Sequence, residues 1–338
     1  MRRFVMVLAC VLIPSAVGAG PKAMVIEDSI EGHILPRFER LAEASDVLAQ
    51  TAGQACTGAS DAIVRAYRDA FDAWVSASHL RFGPTEVDDR AFALAFWPDS
   101  RGKTPRALRK LIAEADPIGL SVTDYAQMSI AARGFHALEF LLFDPGVSSA
   151  GDAGYRCRLV ETVAGDIAVT TAAILKDWQT DYAARLRAPR AQGTYRTQDE
   201  AVQALFKALT TGLQFTSEVR LGRPLGTFDR PRPKRAESWR SGRSARHVML
   251  SLRATRDLAL RLAAGDAAVR AALEDAFGRA LTRLEALNDP VFAGAADPQG
   301  RLKVEVMQQA VDSIRAVVQQ DLGPTLGVVA GFNALDGD

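Results

Sequence analysis

Aromatic residues are scarce in this sequence, at 7%, and cysteine is scarcer still, with three in 338 residues. Charge of one sign is not in excess, since 41 Lys and Arg face 40 Asp and Glu. Each shortage excludes something. The balanced charge gives a polyanion such as nucleic acid no global field to respond to. No internal stretch reaches the roughly 20 consecutive apolar residues that a membrane-spanning helix needs. Long Val/Ile/Thr alternations are also missing, which argues against extensive sheet. What is present is a 48% hydrophobic, 24% charged chain rich in Ala, Leu and Arg. That composition excludes a disordered protein and favours helices, and the length suffices for two domains with full cores.

The first nineteen residues read as a targeting segment. Met1-Arg2-Arg3 is a short basic start, Phe4 to Val17 is mainly apolar, and Val17-Gly18-Ala19 offers small residues for cleavage. The expected mature protein is exported, soluble and periplasmic, beginning near Gly20 with one net negative charge. A lipid-anchored alternative uses Cys10, although only a few apolar residues precede it. Removal of the segment leaves Cys56 and Cys157, an even pair in an oxidising setting. A Cys56–Cys157 disulfide joining two helix starts is therefore expected, against the alternative of two unrelated buried thiols.

Caps and breakers divide the mature chain into long helices. One runs from Asp28 to about Thr51 with Pro36 inside it, and a second runs from Ser60-Asp61 to Phe82, ended by Gly83-Pro84. Thr104-Pro105 opens a helix to about Ala115, Ser121 or Thr123 opens one through Leu142, and Tyr155 to about Leu186 is long and carries Trp178. Beyond a linker at Pro189 to Thr197 come Gln198 to Leu221, Ser244 to Ala263, Ala267 to Leu287 and Arg301 to Leu322. Three sequence echoes recur in one order at offsets of 139 to 146. Arg81-Phe82-Gly83-Pro84 matches Arg220-Leu221-Gly222-Arg223-Pro224, Gly102 to Arg106 matches Gly242 to Arg246, and Leu138-Glu139 matches Leu284-Glu285. The expectation is an all-α protein of two related four-helix-bundle-like domains, 24–188 and 198–338, arising from an internal duplication.

Gly102-Lys103-Thr104 imitates a phosphate-binding loop, but Trp97 stands where its first glycine belongs and no strand precedes it. The constellation with chemical content is Gly134-x-His136-x-x-Glu139. Residues three apart share a helix face, so His136 and Glu139 can address one metal ion, divalent or ferric, with iron and zinc as the candidates. Between Met128 and Phe143 the only charged residues are Arg133 and Glu139, so the helix is apolar nearly all round and should be buried. A buried carboxylate demands a cation, a metal or hydrogen-bond donors. A metal shared with His136 is one solution, and an arginine from the basic loops is the other. Asp99, Glu237 and the terminal Asp336 and Asp338 are further oxygen-ligand candidates. The segment Arg220 to Arg246 carries a net charge of +7 and contains Arg243. It reads as a solvated loop or as a rim attracting a carboxylate-rich or phosphate-bearing ligand.

Taken together, Gly134-x-His136-x-x-Glu139, the Arg81 to Pro84 helix end, Trp97-Pro98, the Glu237-Ser238-Trp239 to Ser244 stretch and the ending Gly331 to Asp338 resemble the imelysin family. The resemblance covers nearly all the mature chain. It implies exported bacterial proteins of two helical bundles, with the signature near their junction. The family was named for a peptidase, while other members are linked to iron uptake. The resemblance thus implies a metal ion or metal complex as ligand, with periplasmic or membrane iron-uptake components as partners. The alternatives are a metallopeptidase using the His-x-x-Glu pair with His33, His79 or His247 as third ligand, and a scaffold that binds only a partner protein.

Overall fold

The computed structural model describes residues 20–54 and 60–328. The expected targeting segment with Cys10, together with Cys56, Asp336 and Asp338, lies outside the described residues. Among the described residues, nine helices of ten residues or more frame the fold: α1 (Leu35–Gln54), α2 (Asp61–Ala77), α3 (Lys103–Glu114), α4 (Gly134–Phe143), α5 (Ala153–Asp177), α6 (Gln198–Gln214), α7 (Ser244–Leu262), α8 (Ala267–Leu287) and α9 (Pro298–Val317). No strand is formed among the described residues. The all-α expectation holds.

In the first half α1 lies against both α2 and α5, and α4 packs on α5, α2 and α3. In the second half α6, α7, α8 and α9 close a four-helix ring. The halves meet where α2 packs on α7. The segment Pro21–Ser29 continues into α1 through a π-helical turn at Ile30–Ile34, yet it lies on α6 and α7, so this segment belongs to the junction. Further π-helical turns extend α5 at Trp178–Tyr182, α6 at Phe215–Leu221 and α9 at Val318–Leu322.

Local chemistry sets most boundaries. The Ser60 hydroxyl accepts from the Ile63 N–H and opens α2, and Asp266 and Asp297 cap α8 and α9 in the same way. No helix among the described residues is long and apolar enough to cross a membrane.

The helix expected to reach Phe82 ends at Ala77, and two boundaries beside the signature also correct the sequence reading. The helix expected from Ser121 through Leu142 is three pieces: a turn at Val122–Tyr125, a 3₁₀ turn at Ile130–Ala132, and α4. Gly134 makes the break, since its φ of 76° lies in the left-handed region and an added Cβ would collide with the carbonyl oxygens of Ala93 and Leu94. The other is the start of α3. Thr104 does not cap it; Asp99 does, its two carboxylate oxygens accepting from the Lys103 and Thr104 amides at 2.9 and 2.8 Å.

The echoed positions share some features and not others. Gly102 and Gly242 both take positive φ just ahead of a helix, and Leu138 and Leu284 are both buried. The glutamates that follow diverge, since Glu139 is buried whereas Glu285 is exposed beside Arg253. Cys157, on α5, is disulfide-bonded.

Candidate functional site

Helix α4 delivers the signature. Arg133, just before it, is fixed by a two-pronged ion pair with Asp166 of α5 at 2.9 and 2.7 Å. Phe135 stacks on Phe71 of α2 with ring centroids 4.7 Å apart. From Gly134 to Leu142 every residue is buried, as the lack of charge on this helix predicts. His136 and Glu139 are 4% and 2% exposed. The Nδ1 of His136 stands 3.5 Å from Oε2 of Glu139.

The other carboxylate oxygen of Glu139 is held by the second half. Oε1 accepts from the Ser241 amide at 3.0 Å and from the Ser241 hydroxyl at 2.9 Å. Ser238 takes a φ of 51° and its carbonyl accepts from the Arg243 amide at 3.0 Å, so this loop is a closed turn presenting Ser241 to α4. Burial favours the neutral acid, but His136 and the two Ser241 donors outweigh it and hold the Glu139 carboxyl below its ordinary value. Among the described residues no arginine pairs with Glu139. The arginine solution expected from sequence is therefore replaced by donors from a serine that no local pattern marks.

Behind this pair lies a second polar cluster. Glu237 is buried between Arg220, whose Nε donates to it at 2.7 Å, and Nδ1 of His247 at 3.1 Å. Burial opposes its charge, yet Arg220 and His247 hold it far below the usual carboxylate range. The Phe71 ring meets both His136, at 5.2 Å, and His247, at 4.6 Å, between centroids. A third cluster sits elsewhere on the junction: Nδ1 of His33 lies 2.8 Å from Asp257, and its Nε2 lies 2.8 Å from Nε2 of His79.

The sequence candidates thus divide. Gly134, His136 and Glu139 come together; Asp99 reaches the same cavity but its carboxylate is engaged in capping α3. Glu237 is committed to Arg220 and His247, and Arg243 pairs with Asp72 of α2. Neither lines the cavity described next. His33, His79 and His247, the candidate third ligands of a peptidase, are engaged in the other two clusters. Among the described residues no group of three or more His, Cys, Asp or Glu side chains could hold a metal ion.

His136 and Glu139 line a cavity of about 180 Å³ between the halves. Its walls include Trp97, Thr104 and Phe140 from the first half and Arg223, Lys234, Arg235, Ser238, Trp239 and Arg240 from the second. Two roomier clefts, along Asp181 to Tyr195 and between Asp69 and Arg246, contain no histidine. Among the described residues, four atoms of the lining are buried without a hydrogen-bond partner: Nε2 of His136, Oγ1 of Thr104, Oγ of Ser238 and Nε of Arg223. A buried polar atom that lines a cavity without a protein partner is open to whatever enters it.

The cations of the rim are held by aromatic rings. Arg223 lies over Trp97, Lys234 and Arg240 lie over Trp239, and Arg240 also covers Phe140. Arg240 is neutralised by Asp144 at 2.7 Å. Arg223, Lys234 and Arg235 have no ion pair among the described residues. Burial and the charge of Arg235 lower the pKa of Arg223.

The model of the imelysin family, peptidase M75, matches residues 34–318. The chain belongs to the imelysin family. Two solved structures share its architecture. An imelysin-like protein from Psychrobacter arcticum 273-4 is 20% identical with a TM-score of 0.77, over 92% of this chain and 97% of that chain. A protein named as an iron-regulated protein A precursor, from Parabacteroides distasonis ATCC 8503, is 14% identical with a TM-score of 0.73, over 89% of this chain and 96% of that chain. At these identities the likeness is one of fold. No protein in the curated set matches this chain significantly.

Proposed function

We propose that this member of the imelysin family is an exported, periplasmic metal-binding protein linked to iron uptake, holding its ion between His136 and Glu139. The observation that carries the reading is the pairing of Glu139: its charge is kept by serine donors and a histidine rather than by a guanidinium. That arrangement leaves Oε2 and the His136 Nδ1 facing each other at 3.5 Å. Two ligands about 2.1 Å from one ion stand about 3.5 Å apart when they subtend roughly 110° at it. The donor set, one imidazole and one carboxylate, suits iron or zinc.

The family supports the reading, and the structural neighbour named for iron regulation points the same way. Its partners would be the periplasmic or membrane components that pass iron onward. Peptide hydrolysis ranks lower, because a hydrolytic zinc centre needs a third protein ligand and a base near the bound water. The three other histidines of the chain are engaged in their own clusters.

Metal analysis of protein purified from the periplasm tests the proposal. Wild type should carry close to one equivalent, His136→Ala should lose most of it, and Glu139→Gln should bind more weakly. Unchanged stoichiometry in both variants would overturn it.

A further inference from the structure

The cavity offers an ion only two ligands among the described residues, whereas zinc takes four and larger hard cations six or more. The remaining positions must be filled from outside the chain. What the cavity offers to such a filler is one-sided. Among the described residues Arg223, Lys234 and Arg235 are cations without carboxylate partners, and the charge of Arg235 acts on Arg223. The Thr104 and Ser238 hydroxyls are buried donors without acceptors. With Nδ1 turned to the ion, the proton of His136 sits on Nε2, which also lacks an acceptor. Every one of these unsatisfied groups can thus donate a hydrogen bond or carries positive charge, although the two hydroxyls can also accept.

We infer that the metal is taken up as a small anionic complex with a polycarboxylate. Some carboxylates of that ligand complete the ion's coordination, and another lies against Arg223, Arg235 and Lys234. The inference rests on the metal reading above and goes beyond it in naming the bound species. The guanidinium fork matches a carboxylate in two-pronged fashion. Stacking on Trp97 holds Arg223 in place before the ligand arrives, which limits the entropy lost on binding. At about 180 Å³ the cavity is smaller than the roughly 300–1,000 Å³ of sites for drug-sized ligands, so the complex must be small.

Calorimetric titration of the purified full chain with ferric citrate, with citrate alone, with inorganic phosphate, and with ferrous ion under anaerobic conditions tests the inference. The variants are R223Q/R235Q and His136→Ala, each checked for an unchanged helical spectrum. In R223Q/R235Q, ferric citrate should bind about a hundredfold more weakly, about tenfold per arginine, while ferrous ion should change less than about threefold. Rising salt should weaken ferric citrate in the wild type more than in R223Q/R235Q. Ferric citrate binding that is indifferent to R223Q/R235Q, while ferrous ion still depends on His136, would overturn this inference and leave the metal reading standing. Binding of phosphate, but not of ferric citrate, at the two arginines would also overturn it. If His136→Ala alters neither metal species, the metal reading fails and this inference fails with it.

Discussion

At the junction His33 and His79, both of the first half, face each other through their Nε2 atoms, 2.8 Å apart. With the His33 Nδ1–H donating to Asp257, His33 must accept at Nε2, so His79 donates there and keeps a bare, unpartnered Nδ1. Both rings are then neutral. Burial dominates the titration, lowering His33 to about 4 despite Asp257 and lowering His79 well below its ordinary value.

This pair predicts acid sensitivity. The folded His33 titrates below the unfolded one, so as pH falls the unfolded chain takes up the proton first. The stabilisation is complete above about pH 6.5 and is lost as pH falls toward 4, by about 3 kcal/mol from His33, with His79 adding in the same direction. Urea midpoints at pH 7.5 and 4.5 measure it. His33→Gln/His79→Gln should flatten the difference, and equal midpoints in the wild type would refute the neutral pair.

Gly134→Ala should destabilise by about 3 kcal/mol or more, combining left-handed strain with a backbone collision. Ala93 and Leu94 cannot retreat without moving the segment that leads to Trp97. A midpoint within about 0.5 kcal/mol of wild type would show that α4 can begin without a glycine.

Glu237→Gln should cost about 3–5 kcal/mol by leaving Arg220 charged and buried without its counter-ion. The double variant Arg220→Met/Glu237→Met should cost less than the single one. A double-mutant cycle from chemical denaturation measures the coupling, and additive losses would contradict the buried pair.

Ser241→Ala removes one of the two donors at Oε1 and keeps the amide. A hydrogen bond to a charged group is worth about 1.5–3 kcal/mol, so stability at pH 7 should drop by about that amount. The Glu139 pKa should rise as well, so the loss should shrink in acid once the carboxyl is protonated in both proteins. A loss that is constant with pH would mean that the serine acts only by packing.

The residues that make local structure were legible in the sequence. Ser60 and the Ala267 to Leu287 run gave boundaries within a residue, because a cap and a helical period are short-range signals. The 121–142 region misled because its apolar run continues across Gly134, and periodicity carries no information about φ. His136 and Glu139 stood out because they are polar on a helix with almost no other charge. Ser241 and Phe71 did not, since a serine in a basic loop and a phenylalanine on a helix acquire their roles only once distant segments meet. Asp99 looked like a ligand because an acid near a candidate site is read by type, whereas the amides of Lys103 and Thr104 already engage it.

Glu139 also divides its two oxygens between different scales of the fold. Oε2 answers to a neighbour on its own helix, while Oε1 answers to a serine 102 residues later. One side chain therefore registers two separate events, the winding of a single turn and the docking of the halves. A fragment ending in the 189–197 linker would spell the signature in full and still lack the serine donors and the cationic wall. In this chain, then, the six-residue signature acquires its serine donors and its cationic neighbours only from the loop between Arg223 and Ser241.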